Sequence, residues 1–100
     1  MSSSSVSVSY EPKIVEGPAN RTAREGWVVE FTCKVSNIPV SKIQWQRNRE
    51  FVNYTERVKR TSSGGLRIVE VLCSDSGMYR CVASTAVSNE ALLNVTCDGK

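Results

Sequence analysis

Ser74-Asp75-Ser76-Gly77-Met78-Tyr79-Arg80-Cys81-Val82-Ala83 is the stretch whose reading decides the fold: turn-forming residues run straight into a short strand. The same design recurs on either side of it. Counting back from Cys33 in steps of two puts Phe31 and Val29 on one face, with Glu30, Thr32 and Lys34 on the other. Lys42-Ile43-Gln44-Trp45-Gln46-Arg47 repeats the logic with Ile43 and Trp45 inward, and Leu66, Ile68 and Val71 mark a further inward face. Ala91-Leu92-Leu93-Asn94-Val95 completes the series. Between these runs lie Glu16-Gly17-Pro18, Ser36-Asn37-Ile38-Pro39, Arg47-Asn48-Arg49 and Ser62-Ser63-Gly64-Gly65, all rich in turn formers. Short alternating strands punctuated about every ten residues predict an all-β sandwich or barrel.

Length and composition agree with one such unit. A chain of 100 residues supports a single hydrophobic core, burying about 60–65% of its unfolded surface. With 40% apolar and 23% charged residues the composition is that of an ordinary globular domain. The net charge of +3 is too weak to argue for nucleic acid. Met1-Ser2-Ser3-Ser4-Ser5 has neither the basic nor the apolar region of a secretory signal, so residues 1–10 read as a flexible tail, 11–97 as the domain and 98–100 as a C-terminal tail. Cys33, Cys73, Cys81 and Cys97 are an even set in a small chain, which leans toward an oxidising compartment and leaves three pairings open.

Catalytic chemistry finds little to use. There is no histidine, so Ser-His-Asp and Cys-His arrangements are impossible and the usual imidazole metal ligand is missing. The cysteines lack the close Cys-x-x-Cys pairs of a zinc site, and no cofactor is implied. Gly64-Gly65 is too short to cradle phosphate and leads into a strand, not a helix; it reads as a turn.

Cys33, Trp45 twelve positions on, and then Asp75-x-Gly77-x-Tyr79-x-Cys81 resemble the immunoglobulin superfamily, most closely its intermediate (I-set) type. The resemblance runs from about Pro12 to Val95 and implies a two-sheet antiparallel Greek-key β-sandwich. It implies that Cys33 and Cys81 form a strut between the sheets, that Trp45 packs against it, and that Tyr79 makes the tyrosine corner. It also implies an Arg57–Asp75 pair across the base of the sandwich. Two turns depart from the family pattern. Thr85-Ala86-Val87-Ser88-Asn89-Glu90 stands where relatives often place Asn then Gly, and Asn89 is expected to accept the left-handed conformation; Arg47-Asn48-Arg49 replaces a common Asp-Gly turn.

Family topology places Cys73 and Cys97 at one pole, so a second disulfide is conceivable. The competing reading makes Cys73 a small, partly buried residue and Cys97 a tail residue, and the roughly 10 Å between sheets favours it, since bridging needs Cα atoms within about 7 Å. Trp27 carries two readings as well, a surface contact for a partner or a cover folded over the sandwich end, with the cover preferred. Arg57, Lys59, Arg60 and Arg67 could gather on one edge and weakly attract heparan sulfate, although such residues more often form a solvated face. Asn20, Asn53 and Asn94 each head an Asn-x-Thr sequon, and Asn94 points outward between Leu93 and Val95.

Together these features imply a non-catalytic module of a cell-surface or secreted multidomain protein. Its partner is expected to be a protein, homophilic or heterophilic, with immunoglobulin or fibronectin type III domains as neighbours in the parent chain. The alternative is an intracellular structural domain of a giant muscle or actin-associated protein, in which the strut would be reduced.

Overall fold

The computed structural model describes residues 11–97, so the tails expected at 1–10 and 98–100 lie outside the described residues. Layer one is built on β3 (Val29–Phe31), β8 (Leu66–Ile68) and β7 (Val58–Arg60), paired antiparallel in the order β3-β8-β7. The chain continues from β3 into β4 (Lys34–Ser36), which pairs antiparallel with β1 (Lys13–Glu16). Layer two runs β2 (Arg21–Arg24), β11 (Ala91–Thr96), β9 (Gly77–Ala83), β5 (Ile43–Arg47) and β6 (Glu50–Phe51), with β10 (Ala86–Val87) also on β9. The expected two-layer sandwich is present, with one departure from an all-antiparallel pattern: β2 runs parallel to β11. The cause is a change of layer between β1 and β2 at Gly17-Pro18, where the proline supplies no N–H to continue a ladder.

Alternation does the sorting. Along β9, Tyr79, Cys81 and Ala83 are buried, and along β11 Ala91, Leu93 and Val95 are, while the residues between them face outward or are only partly covered. Val29, Phe31, Ile43, Trp45, Leu66 and Ile68 meet these side chains from the other strands. Val71 is buried too, although it stands three residues after Ile68. An even step is not required there because Glu70 adopts φ 50°, a left-handed residue that turns the chain and restores the inward face.

The two unusual turns resolve differently. Asn48 (φ 54°) and Arg49 (φ 72°) form the two-residue loop between Arg47 and Glu50, both left-handed as a type I′ hairpin requires. Asn48 tolerates this and its Oδ1 accepts the Met78 N–H at 3.2 Å, but Arg49 gains nothing comparable. Arg49→Gly should therefore raise the free energy of unfolding by about 0.5–1 kcal/mol, read by urea denaturation. At the other hairpin the expectation for Asn89 is wrong. Ala86 pairs with Ala83, so the turn is Ser84-Thr85 and Ser84 takes φ 60°. Asn89 instead donates through Nδ2 to the Pro18 carbonyl at 3.0 Å, fastening the layer change between β1 and β2.

Candidate functional site

Cys33 lies between β3 and β4 in one layer and Cys81 in mid-β9 in the other, and they are joined by a disulfide with Cα atoms 6.4 Å apart. Trp45 stands opposite Cys81 in the β5–β9 register and is fully buried. Its Nε1 donates to the Gly64 carbonyl at 3.1 Å, and Phe31 packs against it with ring centroids 5.9 Å apart. Gly64-Gly65 thus serves the core: a Cβ on Gly65 would lie 2.2 Å from the Phe31 carbonyl oxygen, so only glycine lets the backbone pass.

At the base of the sandwich the 3-10 turn Cys73–Asp75 presents Asp75, which is only 7% exposed. Arg57 Nη1 meets its Oδ2 at 2.9 Å, and the same oxygen accepts the Leu72 N–H at 2.9 Å. Arg57 also donates to the Glu70 carbonyl at 3.2 Å, so one guanidinium holds both the acid and the left-handed kink. Arg47 donates to the Ser74 carbonyl at 2.7 Å and lies 3.9 Å from Asp75 Oδ1, a contribution the sequence did not signal. Gly77 follows with φ 148°, a conformation that favours glycine.

Tyr79 donates from its hydroxyl to the Asp75 carbonyl at 2.7 Å, the expected corner. Burial raises the phenol above the ordinary tyrosine range, against the opposing pull of Arg47. A raised pKa means that this stabilisation is complete below the unfolded tyrosine value near 10 and is lost as pH climbs through the folded one. Tyr79→Phe should cost about 1 kcal/mol at neutral pH yet flatten the fall in urea-measured stability between pH 9 and 11. A hollow of about 280 Å³ beneath the β5–β6 hairpin is lined in part by Arg47, Asn53, Arg57, Asp75 and Tyr79, so its charged wall is the ion-pair network just described.

The preferred reading of Cys73 and Cys97 is overturned. They form a second disulfide with Cα atoms 5.8 Å apart. The separation between sheets does not apply to them, because the 3-10 turn carries Cys73 out of layer one to the end of β11. Replacing both by alanine should lower stability by about 3.5 kcal/mol, the chain-entropy value for a separation of 24 residues, as read by denaturant unfolding of oxidised protein.

At this pole Trp27 does not fold over the sandwich end: it is 54% exposed and stands beside the exposed Val28. Its backbone is held while its indole is not, through Trp27 N–H to Arg24 carbonyl and Val71 N–H to Trp27 carbonyl, both at 3.0 Å. Two of the four cations stand together, Lys59 and Arg67 facing each other across the β7–β8 ladder. Arg57 is engaged with Asp75, Arg67 lies 3.8 Å from Glu30, and Arg60 donates to the Ser41 and Ile43 carbonyls, which leaves Lys59 exposed opposite Arg67. Arg60 and Tyr54, whose hydroxyl accepts the Trp45 N–H at 3.2 Å, close the edge of β5 beyond its short pairing with β6. Asn20, Asn53 and Asn94 are all exposed.

The profile of the immunoglobulin domain family matches residues 11–85. "Netrin receptor DCC" of Homo sapiens is 33% identical over 87 residues, which cover 87% of this chain and 6% of that protein. Among solved structures, the tandem Ig repeats of Dlar superpose with a TM-score of 0.77 at 31% identity, covering 87% of this chain and 49% of that one. Domain I10 of titin superposes with a TM-score of 0.76 at 26% identity, covering 86% of this chain and 99% of that one. The chain therefore spans a small fraction of the receptor it resembles and the whole of a single titin domain. With the profile covering most of its length and the two-layer sandwich built around Cys33, Cys81 and Trp45, the chain belongs to the immunoglobulin domain family.

Proposed function

We propose that this domain is a non-catalytic recognition or spacing module in the exported part of a cell-surface or secreted multidomain protein, acting in adhesion or receptor signalling. The observation that carries the reading is the pair of disulfides, Cys33–Cys81 through the core and Cys73–Cys97 at the pole, which together take up all four cysteines and persist only in an oxidising compartment. The similarity to a protein named as a receptor, of which this chain would be one small part, supports it further. On this reading its partners are proteins, homophilic or heterophilic, and its neighbours in the parent chain are immunoglobulin or fibronectin type III domains. Trp27 is the proposed contact residue, since a large aromatic side chain open to water on a hydrogen-bonded backbone offers apolar area to bury on docking. Heparan sulfate is left out of the proposal because Arg57 and Arg60 are engaged by Asp75 and by backbone carbonyls, which leaves Lys59 and Arg67 as one exposed pair of cations with Glu30 beside Arg67.

An antibody against this domain, applied to cells of the native tissue before and after permeabilisation, separates this reading from the intracellular structural one. Labelling of intact cells supports the surface module. Labelling that appears only after permeabilisation, along sarcomeres or actin bundles, would replace it with the structural alternative.

A further inference from the structure

Leu92 is an apolar side chain on the outer face of β11, 43% exposed, in a position the sandwich itself does not cover. Its surroundings are specific. Across the ladder on one side stands Met78 of β9, partly exposed. On the other side, at the start of β2, Asn20 Oδ1 accepts the Leu92 N–H at 2.9 Å. Two residues further along the same face of β11 is Asn94, exposed and in register with Thr22. Both asparagines head sequons, Asn20-Arg21-Thr22 and Asn94-Val95-Thr96, and the two sequons lie side by side on parallel strands. Strand geometry puts their Cα atoms about 8 Å apart, with Leu92 adjacent to both.

We propose that Asn20 and Asn94 carry N-linked glycans whose first sugars pack over Leu92 and Met78, so that the β2–β11 end of the large sheet is shielded by carbohydrate. This rests on the surface reading, since the modification needs passage through the secretory pathway. In the transfer, Nδ2 forms a bond to the anomeric carbon of the first N-acetylglucosamine and loses a proton, while the lipid-pyrophosphate carrier departs as leaving group; nothing is oxidised or reduced. The geometry at Asn20 suits this product. Its Oδ1 anchors the amide to the Leu92 N–H, and that acceptor survives modification, while Nδ2 has no hydrogen-bond partner among the described residues. Asn94 makes no side-chain hydrogen bond among the described residues, and an apolar pyranose face laid along β11 would meet Leu92.

The test uses the chain secreted from a eukaryotic host, with site-resolved peptide mass after enzymatic deglycosylation in heavy-oxygen water. The expected result is a heavy aspartate at both 20 and 94. Thr22→Ala and Thr96→Ala should each remove one glycan while leaving the asparagines and the Leu92 hydrogen bond intact. The double variant should be retained longer than wild type on a hydrophobic-interaction column, and adding Leu92→Ser should reverse that. Bare asparagines in secreted protein with both disulfides formed would overturn this proposal alone, as would glycans whose loss leaves column retention unchanged. Protein that stays in the cytosol with reactive thiols would overturn the surface reading beneath it.

Discussion

Replacing both Cys33 and Cys81 with alanine should lower the free energy of unfolding by about 4 kcal/mol, the chain-entropy value for cross-linked residues 48 apart. Domains of this size have a total of about 5–15 kcal/mol to lose, so the variant would be marginal at physiological temperature. The bridge sits where its loss is felt most. Cys33 and Cys81 are buried, Trp45 stands beside Cys81 in the ladder, and the sulfur atoms tie the two layers covalently near the centre of the core. Urea denaturation of the oxidised wild type and the double variant reads the difference directly. A loss below about 1 kcal/mol would mean that packing alone clamps the sandwich and that the strut is incidental.

Trp45→Ala should cost about 3–5 kcal/mol, a fall in Tm on the order of 15–25 °C for a domain of this length. Two terms add. The indole leaves a large void against Phe31, and the Gly64 carbonyl loses its buried donor. Trp45→Phe should recover much of the first term and none of the second. Trp27→Ala is the control within the same molecule: with Trp27 more than half exposed and its backbone hydrogen bonds kept by alanine, it should change Tm by a few degrees at most. Equal losses at the two tryptophans would contradict the burial that separates core from contact surface.

Much of this architecture was legible in the sequence because a few positions admit one kind of residue. Cys33, Trp45, Tyr79 and Cys81 announce themselves by type and spacing, and period-two alternation assigns the inward face of β3, β5, β9 and β11 correctly. The Arg57–Asp75 pair also stands where the family resemblance puts it. What the sequence hid depends on how separate segments meet. Ser84 takes the left-handed turn in place of Asn89 because Ser88 Oγ accepts the Cys81 N–H, fixing where β10 joins β9. Cys73 reaches Cys97 because a 3-10 turn leaves its layer, and an argument from sheet spacing has no access to that excursion. Arg60 reads as a surface cation and Arg47 as the start of a turn, yet each is engaged by backbone carbonyls of segments distant in the chain. Side chains that satisfy another segment's backbone carry no periodic signal, so they are seen only once the strands are placed.

A two-layer sandwich cross-linked twice is built for an oxidising compartment. Peptide mapping of unreduced protein from its native tissue, with free thiols alkylated before digestion, tests it most directly. The expected map has one linked peptide pair containing Cys33 with Cys81, a second containing Cys73 with Cys97, and no alkylated cysteine. Four alkylated cysteines, or Cys33 joined to a residue other than Cys81, would contradict it.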